Sequence, residues 1–180
     1  SGGGKSSLAR ALVERAQDTV TSVSHTTRPQ RTGETHGVDY FFVDQSEFEQ
    51  MIKDDGFLEY ARVFDHWYGT SRKAVEQAIV QNRSIMLDID WQGAQQVRRA
   101  FPAAVSVYIL PPSVEALAQR LVDRGRDSPD EITSRLSEAA SEMSHYDEYD
   151  HILININFDA ALGELEALVC RGEAPQSGQG

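Results

Sequence analysis

Six residues at the start of the chain carry the clearest chemistry: Gly2, Gly3, Gly4, Lys5, Ser6 and Ser7. They form the C-terminal half of the phosphate-binding pattern G-x-x-x-x-G-K-[ST]. Glycines let backbone N–H groups approach and point at phosphate oxygens, and a helix N-terminus adds a favourable dipole. Lys5 would reach the β- and γ-phosphates of a triphosphate, and the Ser6 hydroxyl would ligate Mg²⁺. In isolation Ser1-Gly2-Gly3-Gly4 also reads as a flexible linker. The adjoining residues favour the loop. Leu8, Leu12 and Ala16 recur at helical spacing with Ala9 and Val13 beside them, so a helix opens where such a loop needs one. Because the sequence starts inside the pattern, a strand and two loop residues are expected before Ser1 in the natural protein. The 180 residues alone are then expected to be poorly stable or inactive, since a missing inner strand leaves backbone groups unpaired.

A second group is the stretch Ser24-His25-Thr26-Thr27-Arg28-Pro29-Gln30-Arg31, which sets two guanidinium groups in a loop at the end of a strand, with no acidic residue nearby in sequence. The planar fork of arginine suits a phosphate dianion, and two can clamp one. Taken alone, a pair of solvated surface arginines is the competing reading. Asp88 follows an apolar strand, where a phosphate-loop enzyme keeps a carboxylate near Mg²⁺. Asp90 falls on the same side of an extended chain. Capping of the next helix is the structural alternative for either. Arg120 and Arg124 lie one helical turn apart and share a face, which by itself reads as a solvated one.

These groups must be positioned by alternating strands and helices. Strands are predicted at 20–24, 39–43, 84–89, 105–110 and 151–156. Helices are predicted after Ser6, from a capping box at Ser46-Glu47-Phe48-Glu49 to a break at Gly56, and from Ser71. Others are expected near 93–100, near 113–124 and over 159–169. Ser128-Pro129-Asp130-Glu131 combines an N-cap, a proline at the first helical position and a capping glutamate, and opens a long helix. The tail after Arg171 is expected to be disordered. No internal repeat is visible. Strand–helix alternation implies an α/β fold with a parallel sheet flanked by helices and ligands at the carboxyl ends of the strands.

The length suits one domain with a proper core, and 40% hydrophobic residues mark an ordinary globular chain. No apolar run approaches the ~18 residues of a membrane helix. A net charge of −11 disfavours broad nucleic-acid binding and means that any phosphate site must gather its arginines locally. The single cysteine, Cys170, excludes an internal disulfide and fits a reducing cytoplasm.

The run Thr27-Arg28-Pro29-Gln30-Arg31-Thr32-Gly33-Glu34-Thr35-His36-Gly37-Val38-Asp39-Tyr40-Phe41-Phe42-Val43 closely resembles the signature of guanylate kinases, roughly T-R-x-P-R-x-G-E-x-x-G-x-x-Y-x-F-V. Pro29 directly follows Arg28, and Gln30 stands where the family often has proline; the two arginines keep their separation. The resemblance continues through Phe57-Leu58-Glu59, Trp67-Tyr68-Gly69-Thr70-Ser71 and Leu87-Asp88-Ile89-Asp90-Trp91-Gln92-Gly93. It reaches Ile109-Leu110-Pro111-Pro112-Ser113, Arg120-Leu121-Val122-Asp123-Arg124-Gly125 and Ser144-His145-Tyr146, and so covers nearly the whole chain.

The resemblance implies a nucleoside monophosphate kinase of the phosphate-loop class, with ATP and Mg²⁺ as donor and cofactor and GMP as the small-molecule partner. A core (1–24 and 81–172) would carry an inserted GMP-binding region (25–80) with antiparallel or mixed strands, and a short lid near 124–130. Arg28, Arg31, Tyr40 and Tyr68 match residues that hold the GMP phosphate. Ser24 and Glu59 match residues that read guanine, and Thr70 and Asp90 fall at GMP-contacting positions. Arg120, Arg124 and Arg135 match arginines that converge on the phosphates when the lid closes, Asn155 matches an amide near adenine, and Asp88 would lie near the metal. Asn155-Ile156-Asn157-Phe158-Asp159 departs from the family, which usually has acidic residues after the asparagine. The rival implied by the same resemblance is a non-catalytic, phosphopeptide-binding module, against which Gly4-Lys5-Ser6 and the three arginines speak. Oligomeric state is left open, and neither nucleic acid nor membrane is expected as a partner.

Overall fold

The computed structural model describes residues 4–16, 18–123, 132–133, 136–137, 139 and 144–172. In chain order the elements are α1 (Lys5–Arg15), β1 (Thr19–Thr21), β2 (His25–Thr26), β3 (Phe41–Phe42) and α2 (Gln45–Lys53). Then come β4 (Phe57–Val63), β5 (His66–Ser71), α3 (Arg72–Val80), β6 (Ser84–Met86) and α4 (Trp91–Ala100). The chain continues with β7 (Val107–Leu110), α5 (Val114–Asp123), a 3₁₀ turn (Tyr146–Glu148), β8 (His151–Ile154) and α6 (Phe158–Gly172). Two compact units result: residues 1–17 with 106–180, and residues 18–105. Among the described residues no helix is long and apolar enough to cross a membrane.

In the first unit β7 and β8 pair in parallel, Val107 opposite His151 through Leu110 opposite Ile154. Parallel pairing needs a long crossover, and α5 lies within it. α1 packs against α6, and Leu8, Leu12, Leu162 and Leu165 are buried. Each fully buried leucine contributes about 1.5–3 kcal/mol relative to exposure. Asp150 accepts from both the backbone N–H (2.8 Å) and the hydroxyl (2.6 Å) of Ser106, and so closes the start of the β7–β8 pair.

In the second unit β1 and β6 form a short parallel pair, Thr19 to Ser84 and Thr21 to Met86. A mixed sheet in the order β3-β2-β5-β4 makes up the rest. β2 runs parallel to β3 and antiparallel to β5, and β4 and β5 form an antiparallel hairpin with an irregularity between Phe57 and Glu59. Phe48 of α2 is fully buried, stacking on Phe57 at 4.5 Å and on Trp67 at 6.0 Å between ring centroids. This aromatic stack fastens α2 to the hairpin.

The parallel α/β organisation and most helices match the sequence reading. Some boundaries do not. α2 is capped by Asp44, whose carboxylate accepts from Glu47 N–H at 2.8 Å, two residues before the Ser46 box. Ser46 instead donates its hydroxyl to Asp44. The strands expected at 20–24, 39–43, 84–89, 105–110 and 151–156 are shorter, at 19–21, 41–42, 84–86, 107–110 and 151–154. Ser71 and Asp90 cap α3 and α4 through Ala74 N–H and Gly93 N–H. Gly2, Gly3, Arg124, Arg135, the lid near 124–130, the start of the helix read from Ser128 and the tail from 173 lie outside the described residues.

Candidate functional site

In the first unit the glycine loop meets α1 at Gly4, whose φ of 92° is the left-handed conformation that favours glycine. Gly4 N-caps α1 without a side-chain bond, and Lys5 is the first helical residue, with Ser6 and Ser7 exposed beside it. The first turn of α1 holds no acidic residue, so no carboxylate of the helix itself offsets the positive end of its dipole. Space matters as well as conformation. A Cβ on Gly4 would lie 2.5 Å from Asn155 Nδ2. Asn155 is buried; its N–H donates to Leu110 O at 2.8 Å, and its carbonyl accepts from Arg120 Nη2 at 2.9 Å. The structure therefore brings Gly4, Arg120 and Asn155 together at the ends of β7 and β8.

In the second unit the two-arginine loop is built on the end of β2. Thr26 donates its hydroxyl to Trp67 O (2.9 Å) and accepts from Arg28 N–H (3.1 Å), which fixes where the loop leaves the sheet. The Arg28 guanidinium pairs with Glu34 at 2.7 Å and donates to Pro29 O at 2.8 Å. It also lies over the rings of Tyr40 (5.4 Å) and Phe42 (5.7 Å). Tyr68 meets Tyr40 edge-on at 5.9 Å. The second oxygen of Glu34 accepts from Arg31 N–H at 2.8 Å.

Glu34 corrects the reading that no acid lies near this loop: it folds back across a turn at Gly33 and ties both arginines to one carboxylate. Its partners overcome burial. Desolvation alone raises the Glu34 carboxyl, but the Arg28 hydrogen bond, the Arg31 N–H and the charges of both arginines hold it below its ordinary value. Tyr40 goes the other way. Burial first, then the charge of Asp88 and the neighbouring Tyr68, push its phenol up to about 12 against the opposing pull of Arg28. Tyr40 thus remains a hydrogen-bond donor at any physiological pH. The same interaction shows that exposed Asp88 lies within electrostatic reach of this cluster.

The third group lies on the hairpin. Glu59 of β4 is 4% exposed, and its carboxylate accepts from the buried Thr70 hydroxyl on β5. Burial raises its carboxyl to about 7, assisted by the charge of Asp90 and opposed by the Thr70 hydrogen bond. Asp90 has the capping role named as its alternative, accepting from Gly93 N–H at 2.9 Å and from the Gln92 amide at 3.0 Å. Ser24, in the link from β1 to β2, is half-buried, and its carbonyl accepts from Phe41 N–H at 2.9 Å. Tyr68 and Thr70, two residues apart on β5, share one face of the strand and sit about 7 Å apart along it.

The Ser6 hydroxyl and the Asp88 carboxylate are both exposed, and each by itself is an oxygen donor of the kind Mg²⁺ takes. Glu34 and Gly93 stand in the runs that carry the resemblance, but neither is singled out by its type or spacing, because the ion pair of Glu34 across a turn and the closeness of Gly93 to the Glu59 carboxylate exist only in the fold.

The guanylate kinase family profile matches residues 1–171. A guanylate kinase of Methylococcus capsulatus is 57% identical over 169 residues, 94% of this chain and 83% of its own length. Those of Chromohalobacter salexigens and Legionella pneumophila are 55% and 47% identical over the same 94% of this chain, and 79% and 81% of theirs. The crystal structure of guanylate kinase from Anaplasma phagocytophilum superposes with a TM-score of 0.81 at 33% identity, covering 94% of this chain and 82% of that one. From the profile, the curated relatives and the shared fold together, this chain belongs to the guanylate kinase family.

Proposed function

We propose that this nucleoside monophosphate kinase transfers the γ-phosphoryl group of ATP to GMP, giving ADP and GDP. The observation that carries the reading is the shared face of β5. Tyr68 belongs to the arginine–tyrosine cluster that suits a phosphate dianion, and Thr70 belongs to the buried carboxylate that suits guanine. A single nucleotide lying along that face would meet both.

In this reading Arg28, Arg31, Tyr40 and Tyr68 take the GMP phosphate, with guanidinium forks and phenol donors displacing or joining Glu34. Glu59 accepts from guanine N1–H and N2–H₂ together, a pairing adenine cannot offer, with Ser24, Thr70 and Asp90 around the base. Gly2, Gly3, Gly4, Lys5, Ser6 and Ser7 cradle the ATP phosphates, and Asn155 lies near adenine. Ser6 and Asp88 would hold Mg²⁺, which neutralises phosphate charge when bound. No side chain acts as nucleophile, because the GMP phosphate oxygen attacks. Positioning and charge neutralisation by Lys5, Arg120, Arg124 and Arg135 supply the rate. The functional division into core (1–24, 81–172), GMP region (25–80) and lid (124–130) belongs to the same proposal.

The test is a coupled ADP-release assay with ATP and GMP, AMP, dTMP or UMP. GMP is expected to exceed each alternative in kcat/KM by roughly 100-fold or more, since the site is matched to its hydrogen bonds. Equal turnover of AMP would overturn the guanine assignment. Turnover of none by the full-length natural protein would leave a binding module.

A further inference from the structure

Glycine inside a helix costs about 1 kcal/mol relative to alanine, so its presence asks for a local reason. α4 has one at its third residue. An added Cβ on Gly93 would overlap Glu59 Oε2, lie 3.1 Å from Glu59 Cδ and 3.3 Å from Ile89 Cβ. Nothing about the backbone angle demands glycine here; the Glu59 carboxylate does. One turn further along the same helix, Gln96 reaches the same strand. Its amide oxygen accepts from Tyr60 N–H at 3.2 Å, and its amide nitrogen donates to Tyr60 O at 2.7 Å and to Gln92 O at 3.3 Å. β4 is the edge of its sheet, so Gln96 gives the residue after Glu59 the backbone partners that a further strand would otherwise provide.

We infer that α4 is the rear wall of the base-reading site, with Gly93 and Gln96 as positioning residues that set selectivity for guanine. Gln96 locks the backbone of β4 beside Glu59, and Gly93 leaves the space that its carboxylate fills. One oxygen is held by Thr70, and the carboxylate is aimed by contact on its far side. Asp90 joins the two functions, since it caps α4 through the N–H of Gly93 itself. A displacement of α4 by a few tenths of an ångström would therefore move the reading group directly. This inference rests on Glu59 reading the base.

The test compares GMP with IMP, which lacks only the 2-amino group, by the ratio of their kcat/KM values. Both substrates are measured on one preparation, so a loss of folded protein cancels. Gly93→Ala is expected to lower the GMP:IMP ratio roughly tenfold or more. Gln96→Ala, which leaves the Tyr60 groups unpaired, is expected to lower it roughly three- to tenfold. In a Glu59→Asp background the shorter side chain makes room for the methyl group, so adding Gly93→Ala should then change the ratio less than about twofold. Full additivity there, or a wild-type ratio in folded Gly93→Ala, overturns the inference. Should Gly93→Ala not fold, Gln96→Ala decides, and an unchanged ratio overturns it. Glu59→Gln separates the two levels. If it leaves the ratio unchanged, base reading by Glu59 fails and this inference with it. If it lowers the ratio while both α4 variants do not, this inference alone fails.

Discussion

The two ends of the proposed GMP site bury charge in opposite ways. At the arginine loop, Arg28 and Glu34 are 10% and 14% exposed and paired at 2.7 Å, with Arg31 N–H on the remaining oxygen. Each charge has a partner, so both stay ionised despite burial. On the hairpin, Glu59 is buried with a neutral hydroxyl as its hydrogen-bond partner and Asp90 repelling it, and its carboxyl rises to about 7. A compensated pair gives a rigid anchor that an incoming dianion can join. An under-compensated carboxylate gives a group that gains by meeting donors, which is what a base-reading residue requires.

The comparison can be broken first at the anchor, where the largest effect is expected. Arg28→Ala removes a buried, charge-assisted donor and strands Glu34, and should lower kcat/KM for GMP by roughly 10³-fold. IMP should fall equally, leaving the GMP:IMP ratio unchanged. A changed ratio would mean that the two ends are not separable.

A smaller effect, on stability, is expected at Glu59. A carboxyl raised in the folded state contributes stability that is complete below its unfolded value near 4.5 and is lost as pH rises through about 7. The loss is on the order of 3 kcal/mol across that window. Glu59→Gln keeps the shape without the titration. Thermal or denaturant melting should show the variant gaining on wild type by about that amount between pH 5 and pH 8. A constant difference across pH would mean that burial does not perturb Glu59.

The same two regions show what the sequence makes legible. Helical spacing of Leu8 and Leu12 and the β-propensity of 105–110 depend on near neighbours; α1 forms where expected, and β7 keeps the last four residues of its expected strand. Asp44-Gln45-Ser46-Glu47 fits a capping box as well as Ser46–Glu49 does, and local pattern alone does not choose between them. The β4–β5 hairpin has no glycine turn to announce it; its tip is Phe64-Asp65, with Phe64 at φ 53°. The motif residues Arg28, Arg31, Tyr40, Glu59, Tyr68 and Thr70 were legible through resemblance, and the fold gathers Arg28, Tyr40 and Tyr68 into one cluster and Glu59 and Thr70 into another. Glu34, Gly93 and Gln96 were not read as partners, because an ion pair across a turn or a void shaped by one carboxylate exists only once the chain has folded.

The most direct test of the central claim is a ¹³C NMR titration of the Glu59 side-chain carboxyl, with and without saturating GMP. The predicted result is a midpoint near 7 in the free protein that falls by at least about one unit with GMP, as N–H donors from the base stabilise the ionised form. A midpoint near the ordinary glutamate value, or one that GMP leaves in place, would contradict a buried carboxylate that reads guanine.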